Sequence, residues 1–141
     1  MRSLLLMSMA CVAMAGGCQS NHSAMADAGG EPRRTKVATV LTQAIPPGAG
    51  TEGRVLTVEY PPGVSSPSHR HDGAIYAYVA EGAVITALDD GGEQRFEAGQ
   101  AWFERPGQVH RVSRNASDTR AAKLVVFYVT EPGKPVVHVD K

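Results

Sequence analysis

The spacing of glycine and proline restricts this chain to short strands over most of its length. From Lys36 onward the apolar runs are short and rich in β-branched residues, and turn sequences such as Pro46-Pro47-Gly48 and Pro61-Pro62-Gly63 interrupt them. No stretch keeps a helical period over three turns. Many short strands separated by regular turns are typical of a sandwich or a barrel. We therefore predict an all-β fold.

Alternating apolar and polar residues locate the individual strands. Asp89-Asp90-Gly91-Gly92 predicts a hairpin turn, because Asp and Gly tolerate positive φ. The length of 141 residues fits one domain with one core. The predicted strands are 36–45, 54–60, 74–80, 84–88, 94–96, 101–104, 110–113 and 124–130, with an edge strand at 136–139.

The N-terminus has the pattern of an export signal. Arg2 precedes an uncharged, largely apolar run, Leu4–Ala15, which is shorter than the roughly 20 residues of a membrane-spanning helix. The run ends in Ala15-Gly16-Gly17-Cys18, which resembles a bacterial lipobox, although a larger aliphatic residue is commoner where Ala15 stands. We expect residues 1–17 to be a lipoprotein-type signal peptide and Cys18 to be lipidated. Ordinary signal-peptidase cleavage near the same small residues is the alternative.

The remaining organisation follows from composition. Residues 18–34 are small and polar without a hydrophobic period, so we expect a flexible tether before a β-domain at 35–141. The formal net charge is zero, so the composition lacks the excess of positive charge that is typical of nucleic-acid-binding domains. Cys11 lies within the apolar run, so the exported chain would have no disulfide framework. We expect an exported bacterial protein of the periplasm, attached to the membrane only by its lipid.

Three histidines predict a binding site. His69 and His71 are two residues apart in a segment that looks extended, so their side chains point to the same face. His110 follows the turn Arg105-Pro106-Gly107 and begins a strand. Two imidazoles rarely hold a metal well, so a third ligand from another strand is required.

Residues 36–130 resemble the cupin superfamily, in particular small single-domain cupins of type 2. The first cupin motif is G-x5-H-x-H-x3,4-E-x6-G, and the second is G-x5-P-x-G-x2-H-x3-N. The resemblance implies a double-stranded β-helix (jelly-roll) barrel that holds a divalent metal with three histidines and one glutamate. The residues in register with these motifs are Gly63, His69, His71, Gly82, Gly99, Gly107 and His110.

The chain departs from the motifs at three positions. The motif glutamate is replaced by Ile75, which removes a metal ligand. The motif proline position is Arg105, with Pro106 one residue later. The closing asparagine position is Arg114, with Asn115 one residue later.

Glu104 is the candidate for the vacant ligand position. On a strand 101–104 it shares one face with Trp102, and the cupin register of His110 turns that face inward. An unpartnered acid in an apolar interior would cost several kcal/mol or stay protonated. A metal would remove this cost, and so would an arginine such as Arg54 or Arg105. A shift of register that leaves Glu104 in solvent is the third alternative.

The predicted site is one divalent transition metal held by His69, His71 and His110, with Glu104 as fourth ligand or catalytic proton acceptor. Imidazole ligands suit Fe, Mn, Zn, Ni and Cu alike, so the sequence does not distinguish them. An apolar pocket around the metal would favour a small organic molecule. The predicted pocket residues are Ile75, Val79, Trp102 and Val112.

Two functions stay open. The metal could support an oxygenase- or isomerase-type reaction, or the domain could be a non-catalytic binding or sensing module at the cell envelope. Tyr76 and Tyr78 alternate with the inward residues of their strand and are predicted to face outward. They predict either a homodimer interface or a surface covered by another part of the chain.

Overall fold

The computed structural model describes residues 33–45 and 50–140, and its regular secondary structure there consists of β-strands alone. The predicted all-β fold is therefore confirmed. The predicted signal peptide 1–17, Cys18 and nearly all of the tether lie outside the described residues. The strands are β1 (Lys36–Ala44), β2 (Glu52–Tyr60), β3 (Ser65–Ser66), β4 (His69–Arg70), β5 (Ala74–Glu81), β6 (Ala83–Leu88), β7 (Gln94–Glu97), β8 (Ala101–Glu104), β9 (Val109–Asn115), β10 (Ala122–Thr130) and β11 (His138–Val139).

The strands form two antiparallel sheets that pack around one core. The first has the order β1-β2-β10-β5-β8, and the second has the order β11-β4-β9-β6-β7, with β3 also paired to β9. The predicted double-stranded β-helix is confirmed, and within the described ranges no strand pair joins the two sheets, so strand pairing does not close the barrel. The edge strands β8 and β11 have four and two residues and pair with one neighbour each.

Strand alternation determines which side chains enter the core. On β5 Ile75, Ala77 and Val79 are buried, whereas Tyr76 and Tyr78 are 53% and 44% exposed. This is the facing that the period of two predicts. The other buried apolar residues of the main cluster come from both sheets: Leu56, Tyr60, Val84, Ala122, Leu124, Val126 and Tyr128.

The outer face of the first sheet carries exposed aromatic rings. Tyr76 pairs with Phe127 on one side and with Phe103 on the other, and the Tyr76 and Phe103 ring centroids are 4.9 Å apart. These three rings and Tyr78 are exposed, so other described residues do not cover them. The homodimer stays a prediction.

A β-bulge in β9 changes its alternation. Val112 pairs with Ala87, but the next partner, Leu88, pairs with His110, so Arg111 is an extra residue. A bulge of this kind reverses the facing of the residues beyond it. As a result Ser113 and Asn115 are buried with His110, and Val112 is only partly buried.

Gly73 allows the strand after His71 to pass close to β10, which predicts a large effect of a side chain there. A Cβ atom at Gly73 would lie 2.0 Å from the Val129 carbonyl oxygen. We expect Gly73→Ala to lower the free energy of unfolding by roughly 2–4 kcal/mol, because backbone must move to relieve the overlap. Urea denaturation measures the change.

Gly92 provides the matched control. A Cβ atom there meets no atom within 4 Å, and its φ is not positive. Gly92→Ala should change the free energy of unfolding by less than about 0.5 kcal/mol. An equal effect of the two substitutions would contradict the close approach at Gly73.

Candidate metal centre

The three motif histidines lie together between β4 and β9. His69 on β4 is directly opposite His110 on β9, and His71 follows β4 by one residue. Each offers one ring nitrogen, and the three nitrogens lie within 4.8 Å of one another. All three residues are at most 9% exposed. The cluster could therefore hold one metal ion.

Backbone carbonyls fix the orientation of two of the rings. Nδ1 of His69 lies 2.8 Å from the Pro67 carbonyl oxygen, and Nδ1 of His71 lies 2.5 Å from that of Val136. A carbonyl only accepts, so each Nδ1 carries the proton. In the neutral ring Nε2 then keeps its lone pair, which is the form that binds a metal.

His110 has a polar neighbour at each ring nitrogen. Its Nε2 is 2.5 Å from Oγ1 of Thr86, and its Nδ1 is 3.2 Å from Oε1 of Glu104. Thr86 is a buried residue of β6. Thr86 was not predicted as a site residue, and the one signal for it is that it is the single polar residue of the apolar strand β6.

Glu104 is buried beside the histidines. It is 2% exposed, its Oε1 accepts a hydrogen bond of 2.8 Å from Nε1 of Trp102, and its Oε2 lies 3.6 Å from Nε2 of His71. Among the described residues no group hydrogen-bonds to this buried Oε2. The two alternative arginines are paired elsewhere: Arg54 with Glu52, and Arg105 with Asp89.

The strand register explains how Glu104 reaches this position. Ile75, which stands at the position of the motif glutamate, is paired directly with Glu104 of the neighbouring strand. Side chains of directly opposed residues project from the same face of a sheet. The carboxylate is therefore presented from β8, one strand away from the position of the cupin motif.

The surroundings favour an ionised Glu104 and a neutral His69. Burial raises the pKa of Glu104, but the hydrogen bonds from His110 and Trp102 and the charges of His110 and His71 outweigh it and leave the pKa below its usual value. Burial lowers the pKa of His69, and the Pro67 carbonyl only partly opposes this. A carboxylate oxygen together with imidazole nitrogens is a suitable ligand set for a divalent transition metal.

A cavity of about 400 Å³ adjoins the histidines. Of the predicted pocket residues, Ile75 and Trp102 line it, whereas Val79 and Val112 are not among its described lining residues. Val79 is fully buried in the core. Val112 is displaced by the Arg111 bulge, and Ser113 lines the cavity instead.

The C-terminal segment completes the cavity, a role that was not predicted from the sequence. The predicted edge strand is present as β11, which pairs with β4, and Val136, Val137 and Val139 line the cavity. Asp140 accepts hydrogen bonds from Arg70 and Ser68 and so attaches this segment next to His69. Residues this far along the chain carry no local signal for that contact.

The displaced asparagine of the second motif is also explained by the bulge. Asn115 is buried, and its Nδ2 donates to the carbonyl oxygens of Tyr60, Pro61 and Arg120. The extra residue Arg111 lies between His110 and Asn115. One added residue thus moves the asparagine along the sequence while its side chain stays inside.

The Cupin domain family model matches residues 56–128, which is more than half of the 141 residues. No curated protein matches the chain significantly. No helix long and apolar enough to cross a membrane occurs in the part of the chain that the structure describes.

Several solved structures have a similar fold. An uncharacterized conserved protein with a double-stranded β-helix domain from Klebsiella pneumoniae is 21% identical, with a TM-score of 0.59 over 77% of this chain and 86% of that chain. DMSP lyase DddQ from Ruegeria pomeroyi is 16% identical, with a TM-score of 0.61 over 75% of this chain and 51% of that chain. A recombinant oxalate oxidase in complex with glycolate is 20% identical, with a TM-score of 0.60 over 77% and 56%. This chain thus spans about half of the two enzyme chains, and the likeness shows the fold alone.

Proposed function

The chain belongs to the cupin domain family, and from this premise we propose that it binds one divalent transition metal through His69, His71, His110 and Glu104 and acts on a small organic molecule. The observation that carries the proposal is the buried Oε2 of Glu104, which faces His71 without a hydrogen-bond partner among the described residues. A buried anionic oxygen without a partner costs several kcal/mol. A cation between this oxygen and the imidazoles would remove that cost.

The surrounding residues fit this assignment. The Pro67 and Val136 carbonyls hold His69 and His71 with Nε2 available, and such outer partners commonly contribute about 10–100-fold to metal affinity. Trp102 donates to Oε1 of Glu104 and so leaves Oε2 for the metal. A bound divalent metal would supply a Lewis-acid centre, with redox chemistry if it is iron, manganese or copper.

The chain's own residues would bind and shield the organic molecule. Apolar side chains, among them Ile75, Trp102 and Val126, line the cavity next to the histidines. They would exclude water from the reacting group and favour a compact apolar body. From the metal centre and the apolar cavity beside it we propose an oxygenase- or isomerase-type reaction.

A non-catalytic binding module is the second candidate, and the contacts of Glu104 favour it. This is the one carboxylate among the described lining residues of the cavity. If both of its oxygens are engaged, one by Trp102 and one by a metal, it cannot also accept a proton. Oxygen uptake and product analysis with catechol and diketone compounds distinguish the candidates, because a binding module turns over none of them.

Metal content tests the metal site itself. We expect the purified protein to hold close to one divalent metal ion per chain in elemental analysis. His69→Ala should lose much of it, because the substitution removes one of the four proposed ligands and leaves only His71, His110 and Glu104. His138→Ala is the matched control, since His138 is exposed and paired with Asp72. Protein without metal, or equal loss in both variants, would contradict the proposal.

Export and lipid attachment are a separate proposal, supported only by the sequence of residues 2–18. We propose that the protein is held at the periplasmic face of a membrane by a lipid on Cys18. Cys18→Ser should move the protein from the membrane fraction to the soluble fraction, because a lipid anchor accounts for the attachment. Unchanged partitioning would contradict it.

A further inference from the structure

A cluster of four hydroxyl groups lies on the cavity wall beyond the histidines. Tyr60 OH and Ser113 Oγ are 2.6 Å apart, and Oγ of Ser66 donates to Oγ1 of Thr35 at 3.1 Å and to Tyr60 OH at 3.4 Å. All four residues line the cavity. Tyr60 and Ser113 are buried, at 3% and 6% exposed.

The strand register aligns this hydroxyl cluster with the metal centre. Ser66 is opposite Ser113 in the same antiparallel arrangement in which His69 is opposite His110. The two pairs are three residues apart on β9, which corresponds to about 10 Å of extended chain. A molecule about the size of a substituted benzene ring can span this distance with an oxygen at each end.

The cluster keeps hydrogen-bonding capacity for a ligand. Each hydroxyl has one donor and two acceptor sites. The single hydroxyl hydrogen of Ser66 is shared between Thr35 and Tyr60, and one of Tyr60 and Ser113 donates to the other. These contacts use two of the four donors, so two donors remain, with several acceptor sites. Burial raises the pKa of Tyr60, so this phenol stays neutral.

The charges in the cavity limit the ligand to one anionic group. No lysine or arginine occurs among its described lining residues, and Glu104 is the one carboxylate there. A divalent metal with neutral histidines and this carboxylate leaves one positive charge, which a single anionic oxygen group balances. A second anionic group at the hydroxyl cluster would be desolvated without a cation.

We propose that Tyr60 and Ser113 select a monoanionic molecule that binds the metal at one end and hydrogen-bonds the hydroxyl cluster through an uncharged oxygen at the other. This inference rests on the proposed metal site. It makes Tyr60 and Ser113 specificity residues that do not touch the metal.

Three rigid probes of similar size test the inference on the zinc-loaded full chain. They are 4-hydroxybenzoate, 4-methylbenzoate and terephthalate, whose distal groups are a hydroxyl, a methyl and a second carboxylate. Calorimetry should show 4-hydroxybenzoate binding about 5–10-fold more tightly than 4-methylbenzoate, the worth of one hydrogen bond. Terephthalate should bind at least about tenfold more weakly than 4-hydroxybenzoate.

Two variants and one control test whether Tyr60 and Ser113 cause the preference for the hydroxyl probe over the methyl probe. In Tyr60→Phe and in Ser113→Ala the hydroxyl-over-methyl preference should fall below about twofold, with zinc affinity unchanged. Tyr76→Phe makes the same chemical change on the exposed outer face and should keep the preference.

The outcomes separate the two proposals. Failure of the wild-type protein to take up zinc contradicts the metal site. If the protein takes up zinc, four results overturn the hydroxyl-cluster inference and leave the metal site intact. These results are no binding of any probe, no preference for the hydroxyl probe, a preference that both variants keep, and tighter binding of terephthalate than of 4-hydroxybenzoate. If one variant unfolds, the other decides the assignment.

Discussion

Glu104→Gln is expected to weaken metal binding by about 10–100-fold while leaving the fold intact. The amide keeps the size of the side chain, and its oxygen can still accept from Trp102, but the negative charge beside His71 and His110 is lost. Loss of an anionic ligand from a buried site weakens the bond to the metal and leaves more of the metal's positive charge unneutralised. Calorimetric titration of the metal-free protein with Zn²⁺ measures the change.

Thermal unfolding gives an independent reading of the same substitution. Bound metal stabilises the folded state in proportion to the logarithm of its concentration over its dissociation constant. At saturating metal the wild-type protein should therefore gain more stability than Glu104→Gln. Glu97→Gln, a change to an exposed residue paired with Arg95, is the control and should behave as wild type. Equal zinc affinity in all three proteins would remove Glu104 as a ligand.

Moving the carboxylate from Glu104 on β8 to the paired position of Ile75 on β5 is the second change that we expect to have a large effect on metal affinity. Glu104→Ile should lose metal affinity by more than about 10-fold, because it removes the oxygen ligand and its hydrogen bond from Trp102. The double variant Ile75→Glu/Glu104→Ile should recover most of that loss. The two positions are directly paired and point into the same space, so the carboxylate and the isoleucine only exchange strands.

Ile75→Glu alone is the informative control for this exchange. It would bury a second carboxylate beside Glu104, and two close carboxylates cannot both stay ionised without a cation. We expect this variant to be less stable than wild type without metal and to regain part of the difference with metal. A double variant that binds metal no better than Glu104→Ile would show that the cross-strand position does not replace the motif glutamate.

Much of the fold follows from local sequence because strand period and turn chemistry are local properties. The alternation around Ile75 predicted the inward and outward faces of β5, and the predicted strand 74–80 ends one residue before the observed one. The inward facing of Glu104 followed from the same alternation, with the cupin resemblance providing the register. The resemblance also supplied the double-stranded β-helix, which spacing alone does not determine.

The remaining features depend on contacts between distant residues. The Arg111 bulge moves Val112 away from the cavity, and it is visible only when β6 is placed beside β9. The Val136 carbonyl reaches His71 across 65 residues of sequence. Such contacts depend on tertiary packing, which strand propensity does not encode.

Anomalous diffraction from crystals of the metal-loaded protein would locate the metal without reference to any assumed ligand. We expect one strong peak per chain, bonded to a ring nitrogen of each of His69, His71 and His110 and to Oε2 of Glu104. A peak elsewhere, for example between His138 and Asp72, or no peak in protein loaded with excess metal, would contradict it. A peak on the histidines with Glu104 turned away would leave a three-histidine site and refute the replacement of the missing glutamate.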